Sequence, residues 1–128
     1  MDTPWRVIAA ADKNREYVVL LSYLPLRTYS KIPAFFRYTL EIQRQMNKTP
    51  GAIGYRMRAK VLSRNFWTIS VWEDYRALME FVRLTPHGEA MKSIAPHMGV
   101  TRFTRWKMPG SAVPPTWDDA MKRESKES

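Results

Sequence analysis

Residues 53–72 read Ile-Gly-Tyr-Arg-Met-Arg-Ala-Lys-Val-Leu-Ser-Arg-Asn-Phe-Trp-Thr-Ile-Ser-Val-Trp. Over 53–61, Tyr55, Met57, Ala59 and Val61 alternate with Arg56, Arg58 and Lys60. A period of two with one apolar and one charged side is the mark of a half-buried strand. Ser63-Arg64-Asn65 makes a short turn, and residues 66–72 form a second β-prone run, so the stretch is a hairpin. The basic side of 53–61 predicts a solvated face on an edge strand, where Lys and Arg discourage edge-to-edge pairing.

Outward from the hairpin, each side carries a helix and then a strand. Upstream, Ile32, Phe35, Phe36, Thr39, Leu40, Ile42 and Met46 recur at helical spacing, with Arg37, Glu41, Arg44, Gln45 and Lys48 opposite. Ser30 is the expected N-cap, Pro33 suits a first turn, and Thr49-Pro50-Gly51 stops the helix. Before it, residues 17–24 are apolar on both parities, which predicts a central strand covered on both faces and ended by Pro25. Downstream, Asp74 caps a helix whose Ala77, Leu78, Phe81 and Val82 face inward. Pro86 interrupts it, and a new start at Thr85 carries Met91, Ile94 and Ala95 inward as far as Pro96. Residues 100–108, with Phe103 and Trp106, read as the last strand.

The order is βαββαβ, so the predicted fold is α+β and ferredoxin-like, with two helices on one face of a four-stranded antiparallel sheet. Residues 1–15 are an N-terminal arm, 16–110 the domain, and 111–128 a tail with a short helix capped by Thr116 and Asp119. The other sheet face also needs a cover. A second copy of the sheet is the simplest one and gives an obligate homodimer; a large ligand or the tail would also serve.

Composition narrows the chemistry. A chain of 128 residues and 15.0 kDa reads as one domain, and 45% hydrophobic with 26% charged residues is ordinary globular usage. With no cysteine, disulfides, thiolate metal sites and a cysteine nucleophile are excluded. Only His87 and His97 offer imidazole, so no metal site is expected. No apolar run approaches the length of a membrane span, and the start lacks the pattern of a secretion signal, so a cytoplasmic location is the expectation. The net charge is +9, of which residues 1–64 carry +8 (12 basic, 4 acidic) and residues 65–128 carry +1 (9 basic, 8 acidic). A basic surface attracts nucleic acid or acidic ligands, but these charges are scattered. The Lys/Arg-Gly-aromatic motif of RNA-recognition strands is missing at Asn65-Phe66-Trp67-Thr68, which makes nucleic acid a minor reading.

His87 is the main catalytic candidate. It falls in the first turn of a predicted helix, where the helix dipole opposes protonation and leaves a neutral imidazole able to act as base; the plainer reading is a structural histidine at the bend. Tyr55, Trp67, Trp72 and Phe81, together with Trp106, form an aromatic set that either lines a cleft for a flat apolar molecule or fills the core. Met57, Met79, Met91 and Met98 offer an adaptable wall or simple core filling. His97 is expected to cap carbonyls at a helix end, and Asp74 of the Glu73-Asp74 pair is better used as a cap than as an acid.

Three short motifs resemble one family. Ile69-Ser70-Val71-Trp72-Glu73-Asp74 followed by Ala77-Leu78, Phe81, His87 and Ala90; Lys107-Met108-Pro109-Gly110 with Pro115-Thr116-Trp117-Asp118-Asp119-Ala120; and Thr49-Pro50-Gly51 together look like the "domain of unknown function 3291" family, over residues 17–123. That family sits with the dimeric α+β barrels, beside antibiotic-biosynthesis and haem-degrading monooxygenases. The resemblance implies a homodimer with an apolar cleft between helices and sheet. In haem-degrading relatives an Asn, a Trp and a haem-ligating His mark the site; Ser22, Phe81 and Met91 stand at those positions, so haem is a minor expectation. The resulting function is a monooxygenase-like enzyme, cofactor-independent, acting on an aromatic or polyene substrate. The alternative is a non-catalytic binder of an apolar ligand or haem.

Overall fold

A computed structural model of the chain describes residues 1–84 and 94–127. The elements run β1 (Arg6–Val7), β2 (Glu16–Pro25), α1 (Ile32–Asn47), β3 (Ala52–Lys60), β4 (Asn65–Trp72), α2 (Tyr75–Leu84), β5 (Arg102–Pro109) and α3 (Trp117–Glu127). The sheet order is β1-β3-β4-β2-β5, with every described pair antiparallel. Its four long strands stand in the ferredoxin-like order that the sequence predicts. The new helix expected from Thr85 lies outside the described residues, apart from the 3₁₀ turn Ala95–His97.

The fifth strand comes from the N-terminal arm, which pairs with β3 at Arg6↔Tyr55 and Val7↔Gly54. Its apolar residues have no clean period, so the sequence gives no strand signal there. Gly54 makes the docking possible: a Cβ there would lie 2.3 Å from Cζ2 of Trp5. Thr3 extends the pairing, donating its N–H to the Met57 carbonyl (2.8 Å) and accepting the Met57 N–H on Oγ1 (2.9 Å). β3 is therefore not an edge strand.

Register decides what each face buries. On β2 and β4 the even positions, Val18, Leu20, Phe66 and Trp72 among them, face α1 and α2. The odd positions Tyr17, Val19, Leu21, Trp67, Ile69 and Val71 face the other side. That second face is covered by the chain's own tail. Trp117 and Ala120 of α3 are buried against it, and Met121 packs beside them. Thr116 opens α3 as expected, its Oγ1 accepting the Asp119 N–H at 3.2 Å.

This tail changes the reading of the basic strand face. Arg56 and Arg58 are half-buried, not solvated. The Arg58 guanidinium stands 4.8 Å from the Trp117 ring centroid and grips Asp2 through two bonds of 2.8 and 2.9 Å, while an Arg56 Nη donates to the Pro115 carbonyl at 3.1 Å. Cations stacked on an indole face carry both packing and electrostatic attraction, which is why a strand carrying Arg56 and Arg58 can run under α3. Two smaller expectations also shift. Ser30 is not a cap, because a 3₁₀ turn over Tyr29–Lys31 precedes α1; Leu40 faces solvent, outside the buried arc of Phe35, Thr39 and Met46.

Candidate functional site

Between α1, α2 and the even face of the sheet lies a cavity of about 360 Å³. Its roof is α1, through Phe35, Tyr38, Thr39, Ile42, Gln43 and Met46. These recur at three- and four-residue steps, so one helix stripe supplies them all. Its floor is the sheet: Ser22 and Leu24 of β2, Tyr55 of β3, Thr68 and Ser70 of β4, and Phe103 of β5. Phe81 and Val82 of α2 close one side, with Met98 and Thr101 at the approach to β5. Phe103 and Val82 are exposed and mark the mouth.

The hollow exists because small hydroxyl residues stand where a filled core would carry large apolar ones. Ser22 and Thr68 are direct cross-strand partners, and Ser70 pairs with Leu20 and Tyr55. Thr39 sits above them on the inner stripe of α1. The surrounding side chains pack on one another. Phe35 meets Phe66 with ring centroids 4.5 Å apart, and Trp72 meets Phe81 at 4.9 Å. Burying aromatic rings of this size contributes roughly 2–3 kcal/mol each, so the walls hold their shape without a ligand.

Electrically the interior is neutral. Among the described lining residues there is no carboxylate and no imidazole, and the Arg56 guanidinium reaches to Pro115 on the far side of the sheet. Burial, and then the Glu41 carboxylate, push the Tyr38 phenol above its ordinary value, so it stays protonated. The site can hold a neutral flat molecule and exclude water from it; a charged group entering would lose its hydration. The described wall also gives haem iron no imidazole, and the chain has no thiolate; the thioethers of Met46 and Met98 are the remaining soft donors, a poor fit to haem chemistry. Among the described residues no cluster of three or more acidic or imidazole groups could hold a metal ion, and no helix is long and apolar enough to cross a membrane.

The aromatic set of the sequence analysis divides between the two faces. Tyr55 and Phe81 line the cavity. Trp72 lies behind the wall, almost fully buried, with its indole N–H on Ser70 Oγ at 2.9 Å. Trp67 is a correction: it lies on the opposite face, under α3, where its N–H donates to a Glu124 carboxylate oxygen at 3.2 Å. Positions 67 and 72 differ by an odd number of residues, so one regular strand cannot aim both rings into one cleft. Trp106 shares that far face, beneath Arg123. His87 and Met91 lie outside the described residues. Glu73 pairs with Arg15 at 2.7 Å, and Asp74 accepts the Ala77 N–H at 2.8 Å as the expected cap. His97 meets the Thr28 hydroxyl at 3.5 Å through Nδ1.

Ser22, which the family resemblance set at a site position, lines the cavity, and the residues missed as site components include Tyr38, Thr39, Ser70 and Phe103. Their signal was present as polar interruptions of apolar stripes, Thr39 in the helix and Ser22 and Ser70 in the strands.

No protein-family model matches the chain, and no curated protein matches it in sequence. Solved structures do match in shape. SnoaB from Streptomyces nogalater, a cofactor-independent oxygenase, superposes as a point variant with a TM-score of 0.54 at 13% identity, over 77% of this chain and 98% of that one. A Caulobacter crescentus protein provisionally assigned as an antibiotic biosynthesis monooxygenase gives 0.56 at 16% identity, over 73% and 91%. A Bacteroides thetaiotaomicron protein of unknown function, described as a possible oxidoreductase, gives 0.60 at 12%, over 73% and 99%. At these identities the likeness establishes the fold alone, the ferredoxin-like α+β arrangement.

Proposed function

We propose that the chain is a small-molecule enzyme of the cofactor-independent monooxygenase kind, acting on a planar aromatic or polyene substrate held between α1, α2 and the sheet. The observation that carries this reading is the neutral, aromatic-walled cavity with hydroxyl groups on its floor and roof. Such a site orients a flat substrate and strips water from it. The shape likeness to SnoaB supports the same class of chemistry. In the proposed reaction a base removes a proton from an activated CH₂ of the substrate. The electron-rich anion then reduces O₂; one oxygen atom stays as a carbonyl and the other leaves as water with the two hydrogens. His87 is the proposed base, since the described wall offers none. Tyr55 and Phe81 are the proposed aromatic contacts.

Membership of the "domain of unknown function 3291" family, a homodimer and a cytoplasmic setting belong to the same reading and rest on the sequence. Aerobic incubation with a panel of phenolic polycyclic ketones and polyenes tests it. The expected product gains one oxygen atom and loses two hydrogens, and His87→Ala slows its formation at least a hundredfold. Unchanged turnover in the variant removes His87 from the mechanism.

A second reading, a non-catalytic binder, is favoured by the missing acid or base among the described lining residues. It predicts a ligand that binds stoichiometrically and is recovered unchanged under oxygen. RNA binding loses its usual platform here, because Phe66 and Trp67, the aromatics of the strand it would use, are buried.

A further inference from the structure

We infer that the cavity dictates the polarity of its ligand: Ser70 presents a hydrogen-bond donor from the sheet, and Thr39 presents an acceptor from α1. This inference rests on the cavity being the ligand site. Ser70 is 7% exposed. Its Oγ receives the Trp72 indole N–H at 2.9 Å, and an indole nitrogen only donates. The oxygen is therefore the acceptor in that bond, and its own proton must point elsewhere. No described group accepts it, and Ser70 lines the cavity. Trp72 cannot swing away, because the residue is 1% exposed and its ring packs on Phe81.

Thr39 has the opposite bias. Its hydroxyl lies 3.0 Å from the Phe35 carbonyl, which only accepts, so the Thr39 proton is used within the helix. What Thr39 offers the cavity is lone pairs. Buried donors and acceptors left unmatched are costly, so a ligand that meets both binds best. The class so defined is a flat aromatic molecule with a carbonyl or amide oxygen on the edge facing the sheet and a hydroxyl or N–H on the edge facing α1.

Three naphthalenes of similar outline test this by fluorescence titration of the full chain. One carries a β-acetyl group, one the same-shaped isopropenyl group, and one both an acetyl and a distal hydroxyl. The wild type is expected to prefer acetyl over isopropenyl by roughly tenfold, and acetyl-with-hydroxyl over acetyl alone by a similar factor. Ser70→Ala abolishes the first preference and keeps the second. Thr39→Val does the reverse, so each variant reports that the other still folds and binds. Trp72→Phe, which removes the N–H that orients Ser70, weakens the first preference alone. If the probes bind but neither ratio moves in Ser70→Ala or Thr39→Val, the polarity inference is overturned and the cavity reading survives. If no probe binds saturably, the cavity reading falls and this inference with it.

Discussion

Tyr38 shows how one side chain records its surroundings. Its phenol stands in the roof of the cavity, half-buried, with Glu41 nearby. Both burial and the carboxylate raise its pKa, so ionisation is harder in the folded chain than in the unfolded one. Below about pH 10 both states keep the proton and Tyr38 adds no pH dependence. As pH rises past that value the unfolded chain releases its proton first, and stability falls until the folded-state value is passed. Tyr38→Phe is therefore expected to flatten the alkaline limb of a denaturation-midpoint profile. An alkaline limb identical to wild type would show that the phenol does not feel this environment. Trp67 and Trp72 make the complementary point about reading a sequence. Parity alone assigns them to opposite faces, and that part was legible. Which face held a hollow came only from the family resemblance, because in the residues themselves it depends on the volumes of Ser22, Thr39 and Ser70 facing one another across elements far apart in the chain.

At the scale of elements, β3 and α1 were legible because each repeats one period, and β2 and β4 because each is a nearly unbroken β-prone run. Asp74 and Thr116 were legible as caps because capping is local chemistry. The arm strand was not, since two residues show no period; its docking depends on Gly54 leaving room for Trp5. The placement of α3 was legible only as one of three covers for the second sheet face. Nothing in 117–127 says which surface its apolar side will meet, although Arg56, Arg58 and Lys60 on a strand hinted that an aromatic partner was available. Trp117 is the anchor of that helix, buried between the two arginines and the sheet. Trp117→Ala is expected to destabilise the fold by about 3 kcal/mol, measured by chemical denaturation, and to loosen the Trp67–Glu124 contact. A loss under about 1 kcal/mol would mean that α3 contributes little to covering the sheet.

For the molecule as a whole, the second sheet face is the deciding surface. A bare face of this size needs a partner, and α3 supplies one from within the chain. The proposed homodimer would then meet the outside of α3 or the free edge of β5, not an open sheet. Sedimentation of the full chain is expected to give twice 15.0 kDa. A single 15.0 kDa species throughout the micromolar range would remove the dimer and leave the cavity untouched, because all of its described walls come from one chain.

The proposed ligand site puts a flat, neutral molecule under α1. Intermolecular nuclear Overhauser effects test it most directly, with β-acetylnaphthalene added to protein carrying labelled methyl groups. Cross-peaks from the aromatic protons to the methyls of Ile42, Met46 and Met98 are the predicted result, fading when Thr39→Trp fills the space. Cross-peaks confined to methyls of the α3 face, such as Ala120 and Met121, or a set unaffected by filling the cavity, would contradict it.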